Sequence, residues 1–262
     1  MRRVLFFACI ALCLSATSAW AASGMLYAMN DSNNSLYSID PNTYAVTLIG
    51  STGVGSGDFG DLAYNPNSGT AYWAPGRGND NLYTINLQTG AATLVGSHGV
   101  DDLFAMAYDS ATGQLYGQTS GGAFYNINTT NGSATLLGSN SIYAGGLEYR
   151  ADTNQLILSE AGGNSSFYSV NPTNGSTSLL GTPGFLNDND VAWDPVKGVY
   201  FVDDWSNNLY TVDPNTYQAN VVKGLGSPYD GLIYVNAVPE PGTMMLLGTG
   251  IVGLASKLRR KK

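Results

Sequence analysis

Three sets of side chains in this chain are of types and spacings that could do chemistry. Trp73 and Trp205 stand beside Gly, Asn and Asp, with Arg77, Asp203 and Asp204 close by. An exposed indole flanked by short polar groups suits sugar recognition, the ring stacking on the apolar sugar face while amides and carboxylates take the hydroxyls. The same indoles could instead pack between neighbouring elements. Asp61, Asp102, Asp190 and Asp230 form the second set, each just ahead of an apolar run. Carboxylates converging from several elements could hold Ca²⁺, a hard cation that prefers oxygen ligands. No D-x-D-x-D-G spacing occurs, however, and strand-end capping would use the same residues. Glu148 and Glu160 are the third set and the only candidates for acid–base work. Glu148 and Arg150 lie two apart, on one face of a strand, and could equally form a local ion pair. The single histidine, His98, sits in a Gly-rich loop without a Ser or Cys partner motif, and there is no G-x-S-x-G, H-E-x-x-H or phosphate-binding loop. The expectation is no catalytic residues, and no cofactor unless the aspartates bind Ca²⁺.

A repeat supplies the elements that must position these groups. Leu36-Tyr37-Ser38-Ile39-Asp40 recurs at Leu82, Phe124, Phe167 and Leu209, at intervals of 46, 42, 43 and 42 residues. Each copy is followed by an Asn/Asp/Gly turn and a short apolar strand such as Thr47-Leu48-Ile49-Gly50. Another strand recurs as Leu62-Ala63-Tyr64, Met106-Ala107-Tyr108, Leu147-Glu148-Tyr149, Val191-Ala192-Trp193 and Leu232-Ile233-Tyr234. Behind the first four comes a turn and a further strand. Four half-buried strands per unit, repeated five times, predict an all-β fold, a five-bladed β-propeller over residues 22–236. The ends complement each other: Leu232–Val235 is a first strand with no second after it, and Met25–Met29 a second with no first before it. Joined, they complete a blade and remove the open sheet edge.

In such a blade the strand 1–2 and 3–4 turns emerge on one face. The strand 2–3 loops and the inter-blade connections emerge on the other. The first set is monotonous and reads as turn formers; the second holds Trp73, Arg77, His98, Trp205 and most of the unusual carboxylates. Binding chemistry is therefore expected on the irregular face.

Charge narrows the partners. Residues 23–236 contain four basic residues, Arg77, Arg150, Lys197 and Lys223, against eighteen acidic ones, a net −14. That surface repels phosphate backbones, so nucleic acid is excluded as a partner. Both cysteines, Cys9 and Cys13, fall in the N-terminal 21 residues, where Met1-Arg2-Arg3, an apolar stretch and Ala19-Trp20-Ala21 make an export signal. The mature chain then has no thiol for disulfide, metal or nucleophile.

The C-terminus carries Pro239-Glu240-Pro241, an apolar run from Thr243 to Ala255, and the basic cluster Lys257, Arg259, Arg260, Lys261 and Lys262. Over residues 237–262 it resembles the bacterial PEP-CTERM sorting signal, with a short transmembrane segment at about 242–258. The resemblance implies a sorting protease of the exosortase type as a partner. It also implies a transient inner-membrane anchor, and release to the cell surface or the extracellular exopolysaccharide matrix of a Gram-negative bacterium. The expected function is a non-catalytic surface propeller that binds polysaccharide or another protein. A secreted glycan hydrolase or lyase and a structural spacer are the alternatives.

Overall fold

The structure, a computed structural model, describes residues 24–55, 59–163, 165–184 and 188–236. The export signal, the sorting motif Pro239, Glu240 and Pro241, and the apolar run behind it lie outside the described residues.

Among the described residues, twenty strands form five antiparallel sheets of four. In chain order the innermost strands are Asp61–Asn65, Leu103–Asp109, Ala144–Arg150, Asp188–Asp194 and Tyr229–Val235. Each lies against the next around an axis, and the last returns to the first. This is a closed five-bladed β-propeller. Closure is made by the two ends of the domain: Tyr229–Val235 pairs with Met25–Asn30, placing Met25 opposite Val235 and Ala28 opposite Leu232. The blade so completed, called blade 1 here, continues outward through Ser35–Ile39 and Val46–Ser51. Blades 2 to 5 follow from Asp61 onward.

Period-two patterning explains the layers. The middle strands alternate so that Leu36, Leu82, Phe124, Phe167 and Leu209 are buried between blades. The core is a set of such inter-blade clusters, as where Tyr116 stacks on Phe124 at 5.4 Å beside Leu147, Leu156 and Leu158 of the next blade. Outermost strands keep one apolar residue outside: Leu48, Leu94, Leu136, Leu179 and Val221 are exposed.

The repeated turns have a shared local cause. The side chain of Asn65, Asp109 or Asp194 accepts hydrogen bonds from the amides two and three residues on, closing the strand 1–2 turn. Asp40, Asn86, Asn128 and Asp213 do the same in strand 3–4 turns. In every blade a bulge interrupts the pairing of the two outer strands, at Leu36/Tyr37, Leu82/Tyr83, Phe124/Tyr125, Phe167/Tyr168 and Leu209/Tyr210. Just past the bulge, Gly96 lies against the carbonyl of Asn131 in the next blade's turn, where a Cβ would collide with backbone. Gly96, one residue before the end of the outer strand Ala92–Ser97, is thus a contact between blades.

Candidate functional site

Two ends of the propeller axis hold the chemistry, and they differ. At the irregular face the axis is covered by aromatic side chains. Phe59 packs on Phe104 at 5.6 Å and on Trp205 at 4.5 Å, and Phe104 meets Tyr143 edge-on at 6.0 Å. The Arg77 guanidinium lies over both Phe59 and Phe104, about 5 Å from each ring, and pairs with Asp102 at 3.0 Å. Trp205, Tyr143 and Arg77 are exposed, at 37%, 45% and 47%. Together they make an apolar platform with one cation, over a void of only about 10 Å³ between the cap and Asp230. Phe59 holds a left-handed backbone, φ 59°, rare for an aromatic residue, and its amide is held by Asp31 at 3.1 Å.

Under the cap lie the axial aspartates. Asp61 accepts a hydrogen bond from the amide of Met106 in the next blade, and Asp190 accepts one from Leu232 in the blade after its own. Gly146 gives Asp190 its room, since a Cβ there would strike the carboxyl. The two carboxyls also hydrogen-bond each other. Asp61 Oδ1 is buried without a geometric hydrogen-bond partner, and a proton held on either carboxyl would satisfy it. Burial pushes both pKa values well above the ordinary carboxylate range, and for Asp190 the Asp61 charge adds to this. Asp230 is raised as well, by burial first and then by Asp190, Asp203 and Asp31.

The sequence-derived candidates fare unevenly against this geometry. Trp205 and Arg77 come together on the platform. Trp73 does not: it is 1% exposed and packs on Tyr83 at 5.7 Å in the core. Its position is not that of Trp205 either, because Trp73 pairs with Leu62 as Val202 pairs with Val191, three residues ahead of Trp205. It sits inside a strand, on the face turned to the neighbouring blade. Asp203 and Asp204 are buried too, and Asp204 is occupied by the Asn208 amide and the Tyr210 hydroxyl, each at 2.7 Å. Neither carboxylate is open to a sugar hydroxyl. Asp102 is not with the other three proposed metal ligands but outside, on Arg77 and Ser120. Among the described residues no group of three or more His, Cys, Asp or Glu is arranged to hold a metal ion.

Glu148 and Glu160 are not brought together. Glu148 lies opposite Ile157 and Glu160 opposite Ala144, with a bulge between, so four residues on one strand and three on the other separate their levels, roughly 10 to 13 Å along the blade. Paired glycosidase carboxylates stand about 5 to 10 Å apart. Nor is Glu148 paired with Arg150, whose guanidinium binds Asp152 through two contacts of 2.8 and 3.0 Å and lies 4.0 Å from the Trp193 ring. His98 is buried, its Nδ1 accepting the Val100 amide at 3.3 Å, and burial holds its pKa below the ordinary value.

Glu148 belongs to the other end of the axis, the face of regular turns. A well of about 110 Å³ opens there, walled largely by the second and third residues of the repeated inner-strand motif, among them Ala63 and Tyr64, Ala107 and Tyr108, and Ile233 and Tyr234. The aromatic side chain at a constant place in five repeats was the available signal for this well. Phe59 and Tyr143, in loops, and Phe104, at the start of strand Leu103–Asp109, carried no such signal, because these segments do not repeat.

Residues 237–261 match the PEP-CTERM protein-sorting motif, and residues 14–101 match a domain of unknown function, DUF4394. No curated protein is a detectable relative. Among solved structures, a chain of a nidogen/laminin complex is similar at a TM-score of 0.58 and 15% identity, over 82% of both chains. A protein of unknown function from Bacteroides thetaiotaomicron is similar at 0.57 and 17% identity, over 81% of this chain; the match spans 61% of that protein. At these identities the likeness is one of fold. The sorting motif implies export, membrane-anchored transit and handling by exosortase, a membrane protease, before placement at the cell surface. The chain is an exported five-bladed β-propeller with a C-terminal PEP-CTERM sorting motif.

Proposed function

We propose that the propeller is a non-catalytic binding module of the exopolysaccharide matrix around a Gram-negative cell, and that it holds polysaccharide on the aromatic cap of its irregular face. The observation that carries this reading is the platform of Trp205, Phe59 and Tyr143 beside the Arg77–Asp102 pair. Sugar rings stack on such surfaces, and the flanking ion pair offers donors and acceptors to hydroxyls. The separation of Glu148 from Glu160 supports a binding rather than a hydrolytic role. Retention through ring stacking and the Arg77–Asp102 pair is expected to survive chelators.

A second reading, a protein partner, is favoured by the same patch. Exposed Trp, Tyr and Arg are the residues that dominate protein interfaces, and one similar fold was solved within a nidogen/laminin complex. A glycan array probed with the purified chain and with Trp205→Ala tests the proposal. Binding to a defined set of glycans, weakened several-fold in the variant, is expected. An empty array, with cross-linking to a surface protein instead, would favour the second reading.

A further inference from the structure

The axial well on the regular-turn face has no part in the reading above, yet it holds the one acidic side chain that breaks the repeat. Where Glu148 stands, the other blades carry Ala63, Ala107, Ala192 and Ile233. A carboxyl is therefore not needed to build a blade at this position. Glu148 lines the well together with Ala63, Ala107 and Ile233 and the ring of aromatic residues, including Tyr64 and Trp193. It keeps part of its surface open to the well. Among the described residues no cation reaches it, since Arg150 is engaged by Asp152 and lies over Trp193. Burial without a countercharge lifts its pKa to about 8, although the backbone N–H groups of Trp193 and Tyr149 pull the other way.

We propose that this well binds a small free alkylammonium ion, its charged head on the Glu148 carboxylate and its alkyl part against the alanines and aromatic side chains. A metal ion suits the well poorly, because hard cations need about six oxygen ligands and, among the described residues, no three carboxylates or imidazoles are arranged together to hold one. An anion would meet Glu148, Asp152 at the rim and a domain of net −14. The walls tolerate a cation: Arg150 already lies over the Trp193 ring at 4.0 Å.

Binding is coupled to the Glu148 proton, which leaves to solvent as the ammonium arrives. Arg150, Asp152 and the phenols around the carboxyl do not change state near pH 8. Arg150 is held charged by Asp152, whose own pKa is lowered by that contact. The surrounding phenols of Tyr64, Tyr108, Tyr149, Tyr200 and Tyr234 are all raised above 10, chiefly by burial. Asp109 and Asp194 accept amide bonds in the neighbouring turns.

Isothermal titration calorimetry of the full chain in non-ionic detergent with n-butylammonium tests this. Affinity should be highest at pH 9 and fall roughly tenfold per pH unit below about 8, with close to one proton released per ion bound at pH 7. Glu148→Gln keeps an acceptor for the strand amides but lacks the charge, and should weaken binding at least ~30-fold. Glu148→Ala, which copies the other blades, should fold and bind no better. The proposal is overturned if n-butanol binds as well as n-butylammonium, if no binding occurs at pH 9, or if folded Glu148→Gln binds like the parent.

Discussion

At the scale of single residues, the axis is built from acids that are easier to bury neutral than charged. Asp61 and Asp190 each tie a strand amide of a neighbouring blade and interact with one another, both raised above the ordinary carboxylate range by burial. Replacing Asp61 by Asn retains an acceptor for Met106 and gives Asp190 an N–H donor that needs no protonation. Asp61→Asn should therefore stabilise the domain by about 1 kcal/mol at pH 8, where the pair is under most pressure to ionise, and by little at pH 4. Urea unfolding at the two pH values measures the difference. Equal effects at both would show that the pair does not titrate with folding. These roles could be read from sequence only in part. The aspartates are identifiable as groups at strand starts, but their mutual hydrogen bond joins blades 2 and 5, which no local pattern brings together.

At the scale of elements, the repeat spells out the blade almost completely, because strand period, turn chemistry and repeat length all point to one architecture. The notable element is the outer strand, whose glycine near its end touches the next blade's turn. Gly96→Ala forces a methyl group into the backbone of Asn131, whereas Gly224 has open space around it. Thermal melting should place Gly96→Ala well below the parent, by on the order of 2 kcal/mol or more, and leave Gly224→Ala within about 0.5 kcal/mol. A Gly96→Ala protein that melts like Gly224→Ala would mean that the blades can separate there at no cost. What the elements concealed was strand parity. Trp73 reads as a loop residue beside Gly and Asn, yet its pairing with Leu62 puts it within the strand and in the core. The aromatic cap was hidden for the opposite reason: Phe59 and Tyr143 come from loops of unlike length and composition and Phe104 from the start of a strand, so no repeat aligns them with Trp205.

At the scale of the whole molecule, ring closure and charge set the behaviour. Closure depends on Met25–Asn30 lying between Tyr229–Val235 and Ser35–Ile39. Deleting residues 22–30 should abolish the cooperative transition of the entire domain instead of fraying one blade, as circular dichroism during urea titration would show; a truncated chain that melts unchanged would contradict a closed ring. The pH dependence has a definite sign. Asp61, Asp190, Asp230 and Glu148 have raised folded-state pKa values. Their favourable contribution is complete below the unfolded carboxylate range, near 4, and is lost as pH rises, through about 8 for Glu148. Two groups of residues act in the opposite sense. Asp40, Asp152 and Asp213 are lowered by amide and Arg150 contacts and lose their contribution as pH falls below about 4. His98, lowered by burial, opposes acidification below about 6.5. With four raised carboxyls against one histidine, and a net charge of −14 to relieve, Tm should be higher at pH 5 than at pH 8, on the order of 5 °C. A Tm that climbs from pH 5 to pH 8 would mean that the axial acids are not neutral in the fold.

The most direct test of the binding role is retention of the full chain at the surface of producing cells, comparing Trp205→Ala with Tyr143→Ala on the cap and Asn67→Ala in a turn of the opposite face. The account predicts that both cap variants, folded and exported at parental levels, are shed into the medium several-fold more than the parent, while Asn67→Ala is retained. Retention of both cap variants together with loss of Asn67→Ala would contradict it.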